Sequence, residues 1–599
     1  MPSMKPVRLA AAATLALPRW AIFALGLLYI LPGLIGRDLW KDDAASYGIM
    51  WTMAHGSLND WLVPNIAGLP ALDEGPLAFW LGAVCIKLFG WLVGDVMAAR
   101  GSTISIFVTG ALSVWYTAFH LGRRADAQPL RLAFGGQPEP DDYGRTLADT
   151  ALLIYLGCLG LLLNSHETLA ATLQGALLAY FLYRAVRYVE APSAANAGLI
   201  GLALGALTLT RGWLSPCTLM LTLLLCTRFL DMPAGRTLRD LAIATLVALL
   251  LALVWILPAA TLHPYQLSPV ASWQRWNLNQ IGWPSWYSLK AFCRVGLWFF
   301  WPAWPFAGWA IYAWRRQSRL LHIVLPLSFV GALTALILLD PVPESGDLLK
   351  LLPPLAIMAA FGLPAMKRGA INAIDWFSVM VLTMIAGLAW LWWIATLTGW
   401  PAQLARNSAR LAPDFEAEFG LLAFLVAAAA TIGWFVLVHW RISRQPTVLW
   451  RAVVLSSGGL ILFWVLLMTL LLPQLNYSKS YRSVARHIAA NLPKDGDGGG
   501  GGGGCIATNV SPAQRASFAF YGGLTFAGIK GVQCDLLLLQ DSVNLKDSRE
   551  IAHAFRGKQW VLLWEGRRPA DSDERFRLYR RASGQNGPGF SAPITPPTP

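Results

Sequence analysis

Lys41, Asp42 and Asp43 stand side by side at the exit of the first apolar run, in LWKDDAASYG (39–48). A carboxylate at a low-dielectric boundary loses solvation, and its basicity rises unless cations or hydrogen bonds hold it ionised. Such a group is suited to taking a proton from a hydroxyl. Glu167, next to His166 in NSHETLAATL (164–173), is a second carboxylate of this kind, and Asp73 and Glu74 form another acidic pair just before Pro76. Arg100, Arg211 and Lys350 lie at the ends of other apolar runs, and Arg275 lies in a Trp-rich loop. A guanidinium offers an anion two parallel donors and an ammonium offers a point charge. A plainer reading stands beside each: a charge at a span end marks the membrane boundary or snorkels to it. Asp73 and His263, with His166 or Glu167, are the candidates for a divalent cation. No two of them fall at the spacing of a recognised metal motif, so a hydrogen-bonded interfacial histidine is the simpler expectation.

The elements that position these residues are membrane helices. The chain has 599 residues, is 56% hydrophobic and only 13% charged, and carries 29 Trp. Its apolar runs repeatedly reach the roughly 20 residues that cross a hydrocarbon core. The net charge of +14 comes from short Lys and Arg clusters between those runs, which reads as positive-inside topology and not as nucleic-acid binding. The first run continues to residue 36 with no small-residue cleavage site, so it is kept as a span and not as a signal peptide.

About fourteen apolar runs can be marked by their length. If the run at 77–94 crossed the membrane, the clusters Arg123/Arg124, Arg236/Arg239, Arg315/Arg316/Arg319 and Lys367/Arg368 would all lie outside. Laid along the outer interface instead, with Trp80, Lys87 and Trp91 at headgroup level, it leaves about thirteen spans and returns every cluster to the cytoplasm. The same choice collects Asp42, Asp43, Asp73, Glu74, Glu167, Asp340, Glu344 and Asp347 on the outer side. The expected domains are a membrane domain over 1–473, a soluble α/β domain over 474–582 and a disordered tail over 583–599. Within the second, CIATNV, CDLLLLQ and KQWVLLWEG read as strands, and YRSVARHIAANL and REIAHAFRG as helices. The glycine run 498–504 is a loop and not a phosphate cradle, because no GK[ST] follows it. Five cysteines lie in or beside apolar runs and are expected to be packing residues. Cys505 and Cys534 are a candidate disulfide pair if that domain faces an oxidising compartment.

Residues 42–81 contain an acidic pair, a helix-like segment, a Trp-Pro region, then a second acidic pair and a proline. This stretch resembles the first outer loop of the GT-C membrane glycosyltransferases, in particular the aminoarabinose transferases of lipid A and the related protein mannosyltransferases. Their loop reads approximately D-E-A-x-Y-A and then G-x-P-Y-x-E-K-P-P-L-x-Y-W. Asp42, Asp43, Ala44 and Tyr47 match the first part, and Pro76, Leu77 and Trp80 match the end of the second. AARGSTISIFVTG (98–110) is similar to the family's A-A-R-L-P-S-A segment. LTLTRGWLSP (207–216) is similar to L-x-K-G-P with Arg211 for lysine, and LLKLLPPLAIMAA (348–360) to Y-L-L-P-L-x-P. Two departures stand out. Glu74 occupies the place of the lysine that meets the lipid phosphate, and Glu167 stands where the family has an Asp before a small apolar pair.

The resemblance implies a mainly α, polytopic protein of about thirteen transmembrane helices, with interfacial helices in the first outer loop and a periplasmic C-terminal α/β domain. It implies inverting transfer of a sugar from a polyprenyl-phosphate donor, such as undecaprenyl phosphate, to a glycolipid such as lipid A, a glycan or a protein. This would occur at the periplasmic face of a bacterial inner membrane, with the chain acting as a monomer. Asp42 is then the base, and Asp43, Glu167 or Glu74 hold sugar or acceptor hydroxyls. Lys41, Arg100, Arg211, Arg275 and Lys350 are the cations available to the donor. No Walker motif is present and no nucleotide is required; a divalent metal is left open. A flippase for lipid-linked saccharides would show internal repeats and mid-span charges, which the sequence does not present. A catalytically silent lipid-binding relative is the third reading, and Glu74 is its support.

Overall fold

Apolar runs separated by Pro, Gly and basic clusters fold, as expected, into a mainly helical membrane protein. The computed structural model describes residues 7–581 except 8, 12–13, 15–16, 131–135, 263–267, 444–447, 494–504, 529–533, 542–559, 569 and 572–573. Among the described residues, six helices are long and apolar enough to cross a bilayer: Asp95–Arg123, Ala234–Ala260, Leu321–Leu339, Ser345–Ala365, Gly369–Thr398 and Leu421–Ile442. The pair Ala452–Leu467 and Leu472–Lys479, bent by 67°, is together apolar and long enough for a broken span or a re-entrant loop. The other apolar runs give shorter helices, including Arg19–Ile30, Leu77–Val93, Ala194–Thr210 and Leu214–Phe229. At about 1.5 Å per residue, a 17-residue helix falls short of a hydrocarbon core of about 30 Å. The count of about thirteen spans is therefore not reached on length and composition. Helix Pro140–Leu156 starts in the polar PDDYGR and is buried along almost its whole length.

The core is built by close helix contacts, among them Ala234–Ala260 against Ala194–Thr210. A Cβ at Gly201 would overlap Ala244 on the partner helix, so this glycine sets how near the two axes come. Ser345–Ala365 is the most enclosed of the spans, 89% covered by its neighbours, and it carries Asp347 and Lys350 into the interior.

After the last span the pattern changes as expected. Strands Ile506–Thr508, Leu536–Asp541 and Trp560–Arg567 fall on the three stretches read as strands, joined by Phe526–Gly528 and Arg575–Arg581. In space the order is Phe526–Gly528, Ile506–Thr508, Leu536–Asp541, Arg575–Arg581, Trp560–Arg567, with the first three parallel and the last two antiparallel to their neighbours. A parallel pair needs a crossover, and helix Pro512–Gly522 supplies it. Cys505 and Cys534 form the disulfide, at the entries to two adjacent strands. Helix Arg482–Ala490 falls on YRSVARHIAANL, while the glycine run, REIAHAFRG and the tail 583–599 lie outside the described residues.

The C-terminal domain is sewn onto the first loop. Asn476 Oδ1 accepts from the Asp38 amide (3.0 Å) and from Trp40 Nε1 (2.9 Å), and its Nδ2 donates to the Gly36 carbonyl (3.0 Å). Trp40 bridges Ser480 by backbone pairing, and the Leu39 amide donates to the Tyr521 hydroxyl at 3.0 Å. Helix Ala44–His55 then lies along helix Pro512–Gly522, where a Cβ at Gly48 would overlap Ala516.

Candidate active site

Asp43 is the residue that caps helix Ala44–His55, yet its side chain makes no capping bond. An aspartate at such a position ordinarily accepts from the first free amides of the helix. Here Oδ2 turns inward to Arg37 Nη2 (3.1 Å) and Arg100 Nη2 (3.4 Å). Arg100 also donates to the Arg37 carbonyl (2.6 Å) and the Asp38 carbonyl (2.8 Å), and Arg37 donates to the His166 carbonyl (2.5 Å). Burial, with Arg100 nearby, draws the Arg37 guanidinium down to about 10, so it stays charged at neutral pH. Asp43 Oδ1 is buried without a hydrogen-bond partner among the described residues.

Asp42, one residue earlier, faces the other way. Its Oδ2 meets Lys479 Nζ at 2.8 Å, and both side chains are more than a third exposed. Lys479 is the last residue of helix Leu472–Lys479, and its ammonium stands 4.7 Å from the centre of the Trp40 ring. Glu167 lies in the turn before helix Ala170–Glu190 and is buried. Burial first, and Asp43 second, push its carboxyl up to about 8, with Arg37 opposing. This favours the protonated form, a carboxylic acid able to donate a hydrogen bond. His166 is held by the fold: Nε2 lies 2.8 Å from the Tyr29 carbonyl and Nδ1 lies 3.1 Å from Ser165 Oγ. Burial pushes its ring down to about 3, so it is neutral.

A second cluster forms around Arg211, at the end of helix Ala194–Thr210. Its guanidinium meets Glu74 (2.8 Å), Asp347 (2.8 Å) and Glu344 (3.4 Å) and stacks on Trp276, and Lys350 also reaches Asp347 (2.8 Å). Glu74 gets there because residue 75 is glycine. The Gly75 amide donates to the Thr210 carbonyl at 3.1 Å, and a Cβ would run into the Leu209 backbone. Burial raises the Glu74 carboxyl above its ordinary value against the pull of Arg211. A recess of about 220 Å³ opens here, lined by Arg211, Trp276, Asp340, Glu344 and Asp347. Nearby, an apolar groove of about 800 Å³ runs between Ala194–Thr210, Leu214–Phe229 and Ala234–Ala260 and beneath helix Pro269–Asn279. The later part of the first loop closes over its end, where Leu62 and Trp80 pack with Trp255 and Trp273 and Trp255 Nε1 donates to the Leu62 carbonyl at 2.9 Å.

The structure thus divides the predicted residues into two groups. Asp42, Asp43, Glu167 and Arg100 meet at the first-loop corner, and Glu74, Arg211 and Lys350 meet in the recess. Lys41 and Arg275 are exposed, with no ion pair among the described residues; Asp73 is exposed, with its carboxyl raised by partial burial. His263 lies outside the described residues, and among those described no three His, Cys, Asp or Glu side chains gather as a metal site. Sequence reasoning missed Arg37, Lys479 and Asn476, and left Asp347 and Glu344 as surface acids. Arg37 left one signal, as a basic residue at the end of the first apolar run, six positions ahead of Asp43; Lys479 left none.

No protein-family model and no curated protein sequence matches the chain. Among solved structures it is similar to ArnT from Cupriavidus metallidurans bound to undecaprenyl phosphate, at 16% identity and a TM-score of 0.60, over 95% of this chain and 99% of that one. It is likewise similar to apo ArnT from the same organism, at 15% identity and a TM-score of 0.58, over 93% and 96% of the two chains. At such identity the likeness is one of fold, and it extends through the membrane helices and the C-terminal sheet alike.

Proposed function

From this GT-C fold we infer that the chain is an inverting membrane glycosyltransferase, moving a sugar from a polyprenyl-phosphate donor to a lipid, glycan or protein acceptor. The observation that carries the reading is the contrast at the first-loop corner. Asp43 is buried between two guanidiniums, whereas Asp42 is partly exposed and paired only with the partly exposed Lys479 among the described residues. Asp42 takes the acceptor hydroxyl proton as the oxygen attacks the anomeric carbon, and the carbon–oxygen bond to phosphate breaks on the opposite face. Glu167, protonated, donates a hydrogen bond to a substrate oxygen. The apolar groove suits a prenyl tail, since it is lined by Leu, Ala and Met with Trp213 and Trp273 at one end. The ArnT structure that was solved with undecaprenyl phosphate supports that ligand class. The Arg211 recess, in which carboxylates outnumber cations, suits sugar or acceptor hydroxyls better than a phosphate. The site is assigned to the periplasmic face of a bacterial inner membrane, with residues 474–582 as the domain that covers it.

The test is transfer of labelled sugar from a panel of polyprenyl-phosphate sugars into envelope lipids and proteins, comparing purified wild type with Asp42→Asn. Label moved by wild type alone supports the enzyme and reveals the acceptor class. Lipid binding without transfer from any donor would favour a silent, lipid-binding relative.

A further inference from the structure

A departing phosphate needs a cation, and most cations of this site are already committed. Arg211 is shared by three carboxylates, Lys350 serves Asp347, and Arg37 and Arg100 are buried on Asp43. Lys479 is paired too, but both it and its partner are partly exposed. It is more than a third exposed, it ends helix Leu472–Lys479 beyond the 67° bend, and among the described residues its ion pair is with Asp42, 437 residues away in the chain. The Trp40 ring beneath it holds a cation by its face without neutralising it.

We propose that Lys479 is the phosphate-binding residue of this site, and that its transfer from Asp42 to the donor phosphate frees Asp42 to act as base. The proposal rests on the transferase reading above. In the free protein the ammonium occupies the carboxylate and masks it. When the donor enters, the phosphate oxygens compete for Nζ, and the carboxylate is released toward the acceptor hydroxyl. During the reaction the hydroxyl proton passes to Asp42, the new carbon–oxygen bond forms, and the electron pair of the broken bond leaves on the phosphate. Lys479 stays protonated throughout and neutralises part of the new charge. The base is thereby uncovered only when a phosphate-bearing donor is in place.

Full-length protein in detergent is titrated with undecaprenyl phosphate and, separately, with undecaprenol, which has the tail and lacks the charge. Wild type is expected to prefer the phosphate. Lys479→Gln should lose about tenfold in affinity for the phosphate, as expected for one charge-assisted contact, with undecaprenol binding unchanged, while Lys479→Arg retains most of the affinity. Asp42→Asn removes the competitor and should bind the phosphate as tightly as wild type or more tightly. A clamp that only stabilised the loop would make Lys479→Gln and Asp42→Asn fall together, and that result overturns the proposal, as does a Lys479→Gln protein that binds the phosphate like wild type. A wild type that does not distinguish phosphate from alcohol overturns the donor assignment itself. Removing an exposed charge elsewhere on the same domain, as in Arg486→Gln, separates the local contact from the field of the whole domain.

Discussion

Asp42 and Asp43 are adjacent in the chain and opposite in environment: Asp43 is 1% exposed with Oδ2 between two guanidiniums, whereas the Asp42 side chain is 38% exposed and meets Lys479. One anchors the loop and the other is offered to a substrate, so their substitutions should fail in different ways.

Asp42→Asn should fold with an unchanged melting temperature and lose about 10²- to 10⁴-fold in transfer rate, the usual contribution of a positioned base. A matched loss of donor affinity would instead assign Asp42 to binding.

Asp43→Asn should be a stability variant. Without the carboxylate, Arg37 and Arg100 are left buried and uncompensated, which costs about 3 to 5 kcal/mol when one partner of a buried pair is removed. Thermal unfolding in detergent reads this directly. An unaltered melting curve would contradict the anchoring role.

Glu167 makes stability depend on pH. Its folded value of about 8 lies above the ordinary glutamate range, so the unfolded chain gives up this proton first. Stability contributed by the protonated form is full below about pH 4.3 and is lost as pH rises toward 8. Glu167→Gln should flatten the fall in melting temperature across that window and leave the variant more stable than wild type at pH 8.

Gly75→Ala should detach Glu74 from Arg211, because the added methyl meets the Leu209 backbone. Gly75→Ala should therefore cost more stability than Glu74→Gln, which leaves Arg211 two other carboxylates. Equal losses in the two variants would count against the role assigned to the close backbone approach.

Thr208→Trp places a large ring in the apolar groove. It should weaken undecaprenyl phosphate and undecaprenol binding alike, by tenfold or so for a blocked tail site worth about 1.4 kcal/mol. Selective loss of the phosphate form would move the groove away from the prenyl chain.

Much of the corner was legible because charge is scarce in an apolar chain. Asp42, Asp43 and Glu167 announced themselves at span ends, and the α/β character of the C-terminal domain followed from short apolar stretches set between turn residues. The number of spans depends on more than hydropathy, because several apolar runs fold into helices shorter than the hydrocarbon core, such as Ala194–Thr210 and Leu214–Phe229. Lys479 was hidden for a different reason. It sits in a polar segment where one more lysine carries no signal, and only the fold brings it to Asp42.

The seam between residues 36–41 and 476–482 also sets a schedule. Its two edges lie on either side of the membrane helices in the chain, so the first loop emerges and waits while nearly the whole membrane domain is inserted before Asn476 and Lys479 arrive. Loop closure over so long a chain is slow, and until it happens Trp40 and the Asp38 amide have no partner from that segment. A nascent or truncated chain ending before the seam would lack a finished site, so a segment translated after the membrane helices acts as a completion check on the first loop.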